Sequence, residues 1–251
     1  MLLGARQFFE RRGKSEPTAR DYVQTGLVAM WDGIENAGWG AHDPNATTWN
    51  DLSGNGHDGT FLGTIGTNYA WESDAFVRKS YNFQGGFGEI DLSAQMLAAA
   101  KSATFTVEVV TGAPFSSNNW QAQIFNLCQS GQGYNNGLVA FYRKENNGEV
   151  GQVYSTTYAG SGSAFLSPID VTASVSCVLD GSTNDWYIDG VLKNSMAITP
   201  DSTIGSVLAR LGSSAYAFAG RYKSYRIYSC ALTAAEIAAN YAIDKARFNL
   251  P

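Results

Sequence analysis

Charged side chains are sparse in this chain, 16% of 251 residues, and the formal net charge is −5. A broad basic surface is therefore missing, which argues against nucleic acid as the main partner. Cysteine is scarce too. Cys128, Cys177 and Cys230 lie far apart with no C-x-x-C pair, and only two histidines accompany them, which argues strongly against a structural zinc site. An odd number of cysteines sets no disulfide framework, although a single bridge stays open. Cys177 and Cys230 fall in apolar, strand-like runs (SVSCVL and RIYSCAL) and are expected as buried free thiols. No apolar run approaches the roughly 20 residues of a membrane span. The N-terminal stretch MLLGARQFFERRGKSEPTAR has no continuous apolar segment, because Arg6 interrupts it and Arg11 and Arg12 follow, so it does not read as a secretory signal. Gly13-Lys14-Ser15 could close a phosphate-binding loop only with Gly five residues earlier, and Phe8 stands there.

What the chain does have is glycine, 27 residues, and aromatics, 13%. That mixture suits many short strands joined by tight turns, in a chain long enough to bury a sizeable core. TGLVAMWDG reads as the first strand, followed by a Gly/Asn/Asp-rich loop over 36–60. Further strand candidates are 80–84, 87–92, 103–111, 122–128, 138–144, 149–155, 173–179, 184–189, 205–212 and 217–229. FTVEVV and YKSYRIY alternate as half-buried strands do, which makes Glu108 an outward-facing residue. Asp180-Gly181 and Asp189-Gly190 are hairpin turns. Helix signals occur twice. SAQMLAAAK over 93–101 fits a short helix, and in LTAAEIAANYAIDKARF Thr233 and Glu236 form a capping box while Ile237 and Tyr241 share a face. The expected architecture is all-β, a two-sheet antiparallel jelly-roll sandwich with a short C-terminal helix and a short N-terminal arm. The arm covers residues 1–21 and a single domain covers 22–251.

The arm is chemically unlike the domain. Arg6, Arg11, Arg12, Lys14 and Arg20 against Glu10 and Glu16 make it basic on an acidic chain, and Leu2, Leu3, Phe8 and Phe9 add apolar area. Opposite charge and apolar surface left in water both favour docking on a partner. Leu2, Leu3, Phe8, Phe9, Arg11 and Arg12 are therefore the expected anchoring residues, on a virion protein or on sister copies.

Three stretches, in order, carry a family resemblance. GLVAMWDGIENAGWGAHDPNATTWNDLSGNGHDGTF (26–61) has a first strand leading into a W-x-D-x-SGNG-x-DGT turn. SVSCVLDGSTNDWYIDGVLKNS (174–195) has a strand ending in DG and a partner reading WYIDG. RLGSSAYAFAGRYKSYRIYSCALTAAEIAANY (210–241) closes with F-x-G and then R-I-Y-x-x-A-L-T-x-x-E-I. Together they resemble the laminin-G-like, concanavalin A-like lectin/glucanase jelly rolls, and the resemblance implies that fold for nearly everything after residue 22. The compact chain and short basic arm are similar to family members encoded in phage and prophage structural regions of gut bacteria. That likeness implies a virion location, with synthesis in the host cytoplasm and no signal peptide.

Glu89 and Asp91, in GEIDLS, share one face of a strand. In the resembled family, laminarinase-type glucanases carry E-x-D-x-(x)-E on one strand, and retaining glycosidases need two carboxyl groups roughly 5 Å apart. Here Ser93 and Ala94 stand where the last Glu belongs, so no catalytic residue is assigned and the chain is expected not to be an enzyme. Asp51-Leu52-Ser53-Gly54-Asn55-Gly56 matches the start of an EF-hand-like loop, but the acid at its twelfth position would be Leu62. Where the family often carries a calcium-binding Asp at the rim, this chain has Arg221. Calcium is left open with no ligand assigned, and no cofactor is expected. Glycan recognition uses aromatic faces flanked by amides. Trp120 beside Asn118 and Asn119, Tyr134 beside Asn135, and Tyr158 are the candidate glycan-binding residues, while Trp31, Trp49 and Trp186 are expected in the core. The expected function is a non-catalytic, virion-associated decoration or attachment protein contacting host or mucosal glycans. Alternatives are a purely structural decoration of capsid or tail and a glycan-degrading enzyme.

Overall fold

A computed structural model describes residues 16–79, 87–116, 122–130, 137–143, 150–154, 157–158, 163–166, 172–211 and 219–251. A 3-10 turn, Ala19–Asp21, comes first. Then follow β1 (Leu27–Asp32), β2 (Thr48–Trp49), β3 (Gly59–Thr60), β4 (Tyr69–Glu72), β5 (Ala75–Arg78), β6 (Ile90–Asp91) and α1 (Ser93–Ser102). The middle of the chain supplies β7 (Thr104–Ser116), β8 (Ala122–Cys128), β9 (Gly137–Arg143), β10 (Val150–Tyr154) and β11 (Ser163–Leu166). It ends with β12 (Ala173–Asp180), β13 (Thr183–Ile188), β14 (Val191–Ala197), β15 (Leu208–Leu211), β16 (Ala219–Tyr228) and α2 (Ala234–Phe248). An eight-stranded antiparallel sheet has the order β14-β13-β12-β7-β16-β5-β4, with β1 also on β16. A six-stranded antiparallel sheet has the order β11-β10-β9-β8-β15-β6.

The two sheets face each other through alternating side chains. Phe105, Val107 and Val109 of β7, Tyr225 and Ile227 of β16, and Cys177 and Leu179 of β12 enter the core from one side, and all are buried. Phe125 and Leu127 of β8 and Ala209 and Leu211 of β15 meet them from the other. Trp31, Trp49 and Trp186 are fully buried, as expected. β1 and β5 share one edge of β16, pairing with Tyr228–Ser224 and with Tyr222–Gly220 in turn. Where β1 hands over to β5, Gly33 lies against the Asp74 carbonyl so closely that a Cβ would stand 2.5 Å from it. The Asp189-Gly190 hairpin has both residues at positive φ, 50° and 73°, the type I′ geometry that matches strand twist.

α2 covers the outer face of the eight-stranded sheet, packing Ile237 in one apolar cluster with Val178, Tyr187 and Tyr228 and Phe248 in another with Val110, and burying the polar Asn240 and Asp244 as well. Glu108, expected to face solvent, is instead 1% exposed beneath this helix. The fully buried Arg226 donates from Nε to Glu108 (2.8 Å) and from both Nη atoms to the two oxygens of Asp244 (2.8 and 2.7 Å). Asn240 donates to Glu108 at 2.7 Å, and Ser176 and Ser174 donate to Glu108 and Asp244 at 3.0 and 2.8 Å. Tyr22 donates to Asp244 at 2.8 Å and lays its ring 4.0 Å from the Arg226 guanidinium carbon. Because Asn240 and Asp244 point inward, α2 leaves alanines such as Ala235, Ala238, Ala239 and Ala242 exposed.

Thr233 caps α2 as expected: its hydroxyl accepts from Glu236 N, while the Glu236 carboxylate accepts from Thr233 N at 2.8 Å. Thr233→Ala should cost about 1 kcal/mol, read as a shifted urea midpoint with an unchanged slope.

Residues 16–21, expected in the arm, lie against the domain. Ala19 and Tyr22 are buried with Met30 and Leu52, Ala19 N donates to Glu35, and the Pro17 carbonyl accepts from Arg247 at 3.2 Å. Residues 16–22 are therefore part of the domain surface. Leu2, Leu3, Phe8, Phe9, Arg11 and Arg12 lie outside the described residues, as does the strand expected over 80–84. The 87–92 strand shortens to β6, because Asp91 turns the chain into α1. β4, β5, β11 and β14 are strands that the sequence reading did not separate out.

Candidate glycan-binding site

Glu89 and Asp91 flank Ile90, which points into the core, so both carboxylates fall on the outward side of β6. Among the described residues this strand is the edge of the six-stranded sheet, paired with β15. Across that pair, Arg210 rises between the core residues Ala209 and Leu211 and donates to Glu89 Oε1 from Nε (2.8 Å) and Nη2 (2.5 Å). The arginine side chain is 10% exposed and the glutamate 51%. A half-exposed carboxylate fixed through one oxygen by a buried guanidinium keeps the other oxygen free to accept from a ligand hydroxyl. Asn126 and Cys128 of β8 also alternate away from Phe125 and Leu127 but are themselves buried, and Asn126 stands opposite Arg210 in the register.

Asp91 is spent differently. Its carboxylate accepts from Ser93 N at 2.8 Å at the start of α1, and hydrogen bonds from the Ser93 side chain and backbone hold it below the usual carboxylate range. It is thus an ionised structural acceptor, unsuited to act as the proton-donating acid that glycoside hydrolysis requires. Cys128, pushed up to about 11 by burial, is no nucleophile at neutral pH.

Of the residues expected to bind glycan, Trp120, Asn118, Asn119, Tyr134 and Asn135 lie outside the described residues. Tyr158 requires a correction: it is 1% exposed, packs with Phe105 in the core, and donates its hydroxyl to the Ala100 carbonyl at 2.7 Å. Its ring offers no face to a sugar. Arg210 and Asn126 escaped the sequence reading, although an arginine inside the apolar run LARL signals a nearby acid.

The two places considered for calcium do not fit the ion. Asp51 accepts from Met30 N, Ser53 N, His57 N and the Ser53 hydroxyl, all within 3.0 Å, so its oxygens stitch the turn to β1. Gly54 and Gly56, at φ 85° and 78°, make that turn. Arg221 forks onto Glu72 at 2.6 and 2.8 Å, so a guanidinium already occupies the rim where a cation would sit. Among the described residues no group of three or more His, Cys, Asp or Glu is disposed to hold a metal ion.

The sequence profile of the family described as the concanavalin A-like lectin/glucanases superfamily, Laminin_G_3, matches residues 84–238, more than half of the chain. The chain belongs to this family. The match takes in the 174–195 hairpin and nearly all of the closing motif, while the 26–61 segment precedes it. No curated protein sequence matches this concanavalin A-like chain. Solved structures match in fold. The Trypanosoma rangeli sialidase in complex with sialic acid has a TM-score of 0.57 and 14% identity, over 93% of this chain and 34% of that one. Domain 4 of AbnA, an extracellular arabinanase of Geobacillus stearothermophilus, in complex with arabinotriose, has a TM-score of 0.53 and 19% identity, over 86% of this chain and 98% of that one. The binding domain of botulinum neurotoxin DC in complex with rat synaptotagmin II has a TM-score of 0.57 and 11% identity, over 86% of this chain and 51% of that one. The concanavalin A-like chain therefore spans about a third of the sialidase's length and nearly the whole of the arabinanase domain. At these identities the likeness is one of fold.

Proposed function

We propose that this protein is a non-catalytic glycan-binding jelly roll, attached through its N-terminal arm to a virion or a similar particle. The observation that carries the non-catalytic reading is the Glu89–Arg210 pair. One carboxylate of the glucanase-like pattern is tied to a buried guanidinium and the other to the start of α1, which leaves no acid–nucleophile pair on that strand. The same pair leaves a half-exposed carboxylate, oriented by Arg210, as an acceptor for a sugar's hydroxyl groups. Membership of a lectin/glucanase family and the domain-sized likeness to an arabinanase domain in complex with arabinotriose support carbohydrate as the ligand. Support for attachment comes from the basic, apolar residues 1–15 on an acidic chain.

Three measurements test this. A glycan array on the purified chain should show binding, while laminarin, lichenan and agarose should release no reducing ends. Turnover that Glu89→Gln abolishes would overturn the non-catalytic reading. Deleting residues 1–15 should leave a folded, glycan-binding domain that no longer joins particles; undiminished attachment would exclude the arm as the anchor.

A further inference from the structure

Trp31, Trp49, Trp71 and Trp186 are buried, whereas Trp39 is 39% exposed. Nothing local explains this by slack, because the turn that carries Trp39 is braced from beneath. The buried Glu35 carboxylate accepts from Gly40 N at 3.0 Å and is held by Arg247 at 3.2 Å. Fully buried Asn36 exchanges two hydrogen bonds with the Asp43 backbone, donating at 2.9 Å and accepting at 2.8 Å. Asn50 donates to the Ala37 carbonyl at 3.0 Å, and Gly38 and Gly40 take φ of 115° and 69° on either side of the tryptophan. Buried polar groups are costly unless satisfied. Here they are satisfied by fixing a turn whose tip is an indole in water.

The indole has a cationic neighbour. Arg20, exposed on the docked N-terminal segment, places its guanidinium carbon 4.7 Å from the Trp39 ring centroid. Arg210, Arg221, Arg226 and Arg247 are each paired to carboxylates. Among the described residues neither the Arg20 guanidinium nor the Trp39 Nε1–H has a hydrogen-bond partner. The guanidinium covers one indole face, and the exposed remainder of the ring, its free N–H and the unneutralised charge together match a pyranose ring that bears a carboxylate. The ring's C–H groups would stack on the indole, and the acid would take the guanidinium fork.

We propose that the Trp39 turn, with Arg20, is a binding site for a carboxylate-bearing sugar, separate from the Glu89–Arg210 face. It rests on the glycan-binding reading and assigns that reading a second place and a chemical class. The test titrates the full chain at low salt with 3′-sialyllactose, trigalacturonate and lactose, by calorimetry and tryptophan fluorescence. One or both acidic sugars should bind roughly tenfold or more tightly than lactose, weaken with added salt, and perturb the emission of the exposed indole. Whichever acidic sugar binds names the source of the carboxylate. Trp39→Ala, on an exposed turn, should keep the melting temperature and lose about tenfold in affinity for the acidic sugar. Arg20→Gln should bring acidic-sugar affinity down to that of lactose, with Arg20→Lys between. Acidic-sugar binding undiminished in Trp39→Ala, or equal affinity for lactose, would overturn this site while leaving glycan binding intact. A chain that binds no sugar on the array or in solution overturns both.

Discussion

Arg226→Ala should destabilise the domain by about 3–5 kcal/mol, because it strands two buried carboxylates rather than merely removing a contact. Glu108 and Asp244 are 1% and 0% exposed, and Arg226 is the cation that neutralises both. Their remaining donors, Ser174, Ser176, Asn240 and Tyr22, are neutral and cannot offset a buried negative pair. The loss should extend beyond the sheet. Asp244 and Asn240 belong to α2, Tyr22 to the N-terminal segment, and Val23 N donates to Asn240 at 3.0 Å, so the arginine joins three separate stretches of chain. Urea melts of Arg226→Ala, Arg226→Ala/Asp244→Asn and the triple change Arg226→Met/Glu108→Gln/Asp244→Asn separate the causes. Removing the orphaned charges step by step should recover stability, even though each step deletes a native hydrogen bond. If the single and triple variants are equally unstable, or Arg226→Ala costs less than about 1 kcal/mol, the cluster is held by neutral hydrogen bonds and not by charge compensation.

Much of the fold was legible because its signals are local. The capping box at Thr233, the Asp189-Gly190 turn and the alternation in FTVEVV each operate within a few residues. The partner of Glu108 was not legible. Alternation correctly set it on the face opposite Val107 and Val109, but whether that face meets water depends on Arg226 and Asp244, far along the chain. α2 was legible from its capping box, but the burial of Asn240 and Asp244 beside Ile237 and Phe248 was not, because it depends on Arg226 and Glu108 in the sheet beneath. β14, VLKNSMA, has weak strand propensity and is a strand through its turn and its pairing with β13.

The site was less legible than the fold. The missing third carboxylate in GEIDLS was visible in the sequence, but the pairing of Glu89 with Arg210 requires knowing that β6 and β15 are neighbours. Tyr158 and Trp39 show how a loop aromatic in sequence can go either way. Tyr158 reaches an α1 carbonyl and becomes core, whereas Trp39 is held out by Glu35 and Asn36 under its own turn. Neighbouring Gly, Ser and Asn residues do not distinguish the two, since what decides is whether an acceptor lies within reach below.

Trp49→Ala should cost about 3–5 kcal/mol, several times the effect of removing the Thr233 cap. Trp49 is the tryptophan of the W-x-D turn, fully buried on a strand of only two residues, so tertiary packing and not a sheet ladder fixes it. Its ring sits among Trp71, Phe76, Phe87 and Tyr225, with centroids 5.2 to 6.2 Å away, and the Trp71 contact is edge-to-face at 83°. Alanine would leave a cavity lined by large rings that cannot rotate into it without losing their own contacts. It would also orphan the Asp32 carbonyl, which accepts from Trp49 Nε1 at 3.0 Å inside the core. Trp49→Phe isolates that second cost. It keeps most of the ring volume and loses the N–H, so it should fall between wild type and alanine, about 1–3 kcal/mol down. Both variants should melt in one transition by near-ultraviolet circular dichroism and by fluorescence, because the cluster contains residues of both sheets. If Trp49→Ala instead loses the near-ultraviolet signal before the far-ultraviolet one, the W-x-D turn unfolds as its own unit, and the core is less continuous than its packing implies.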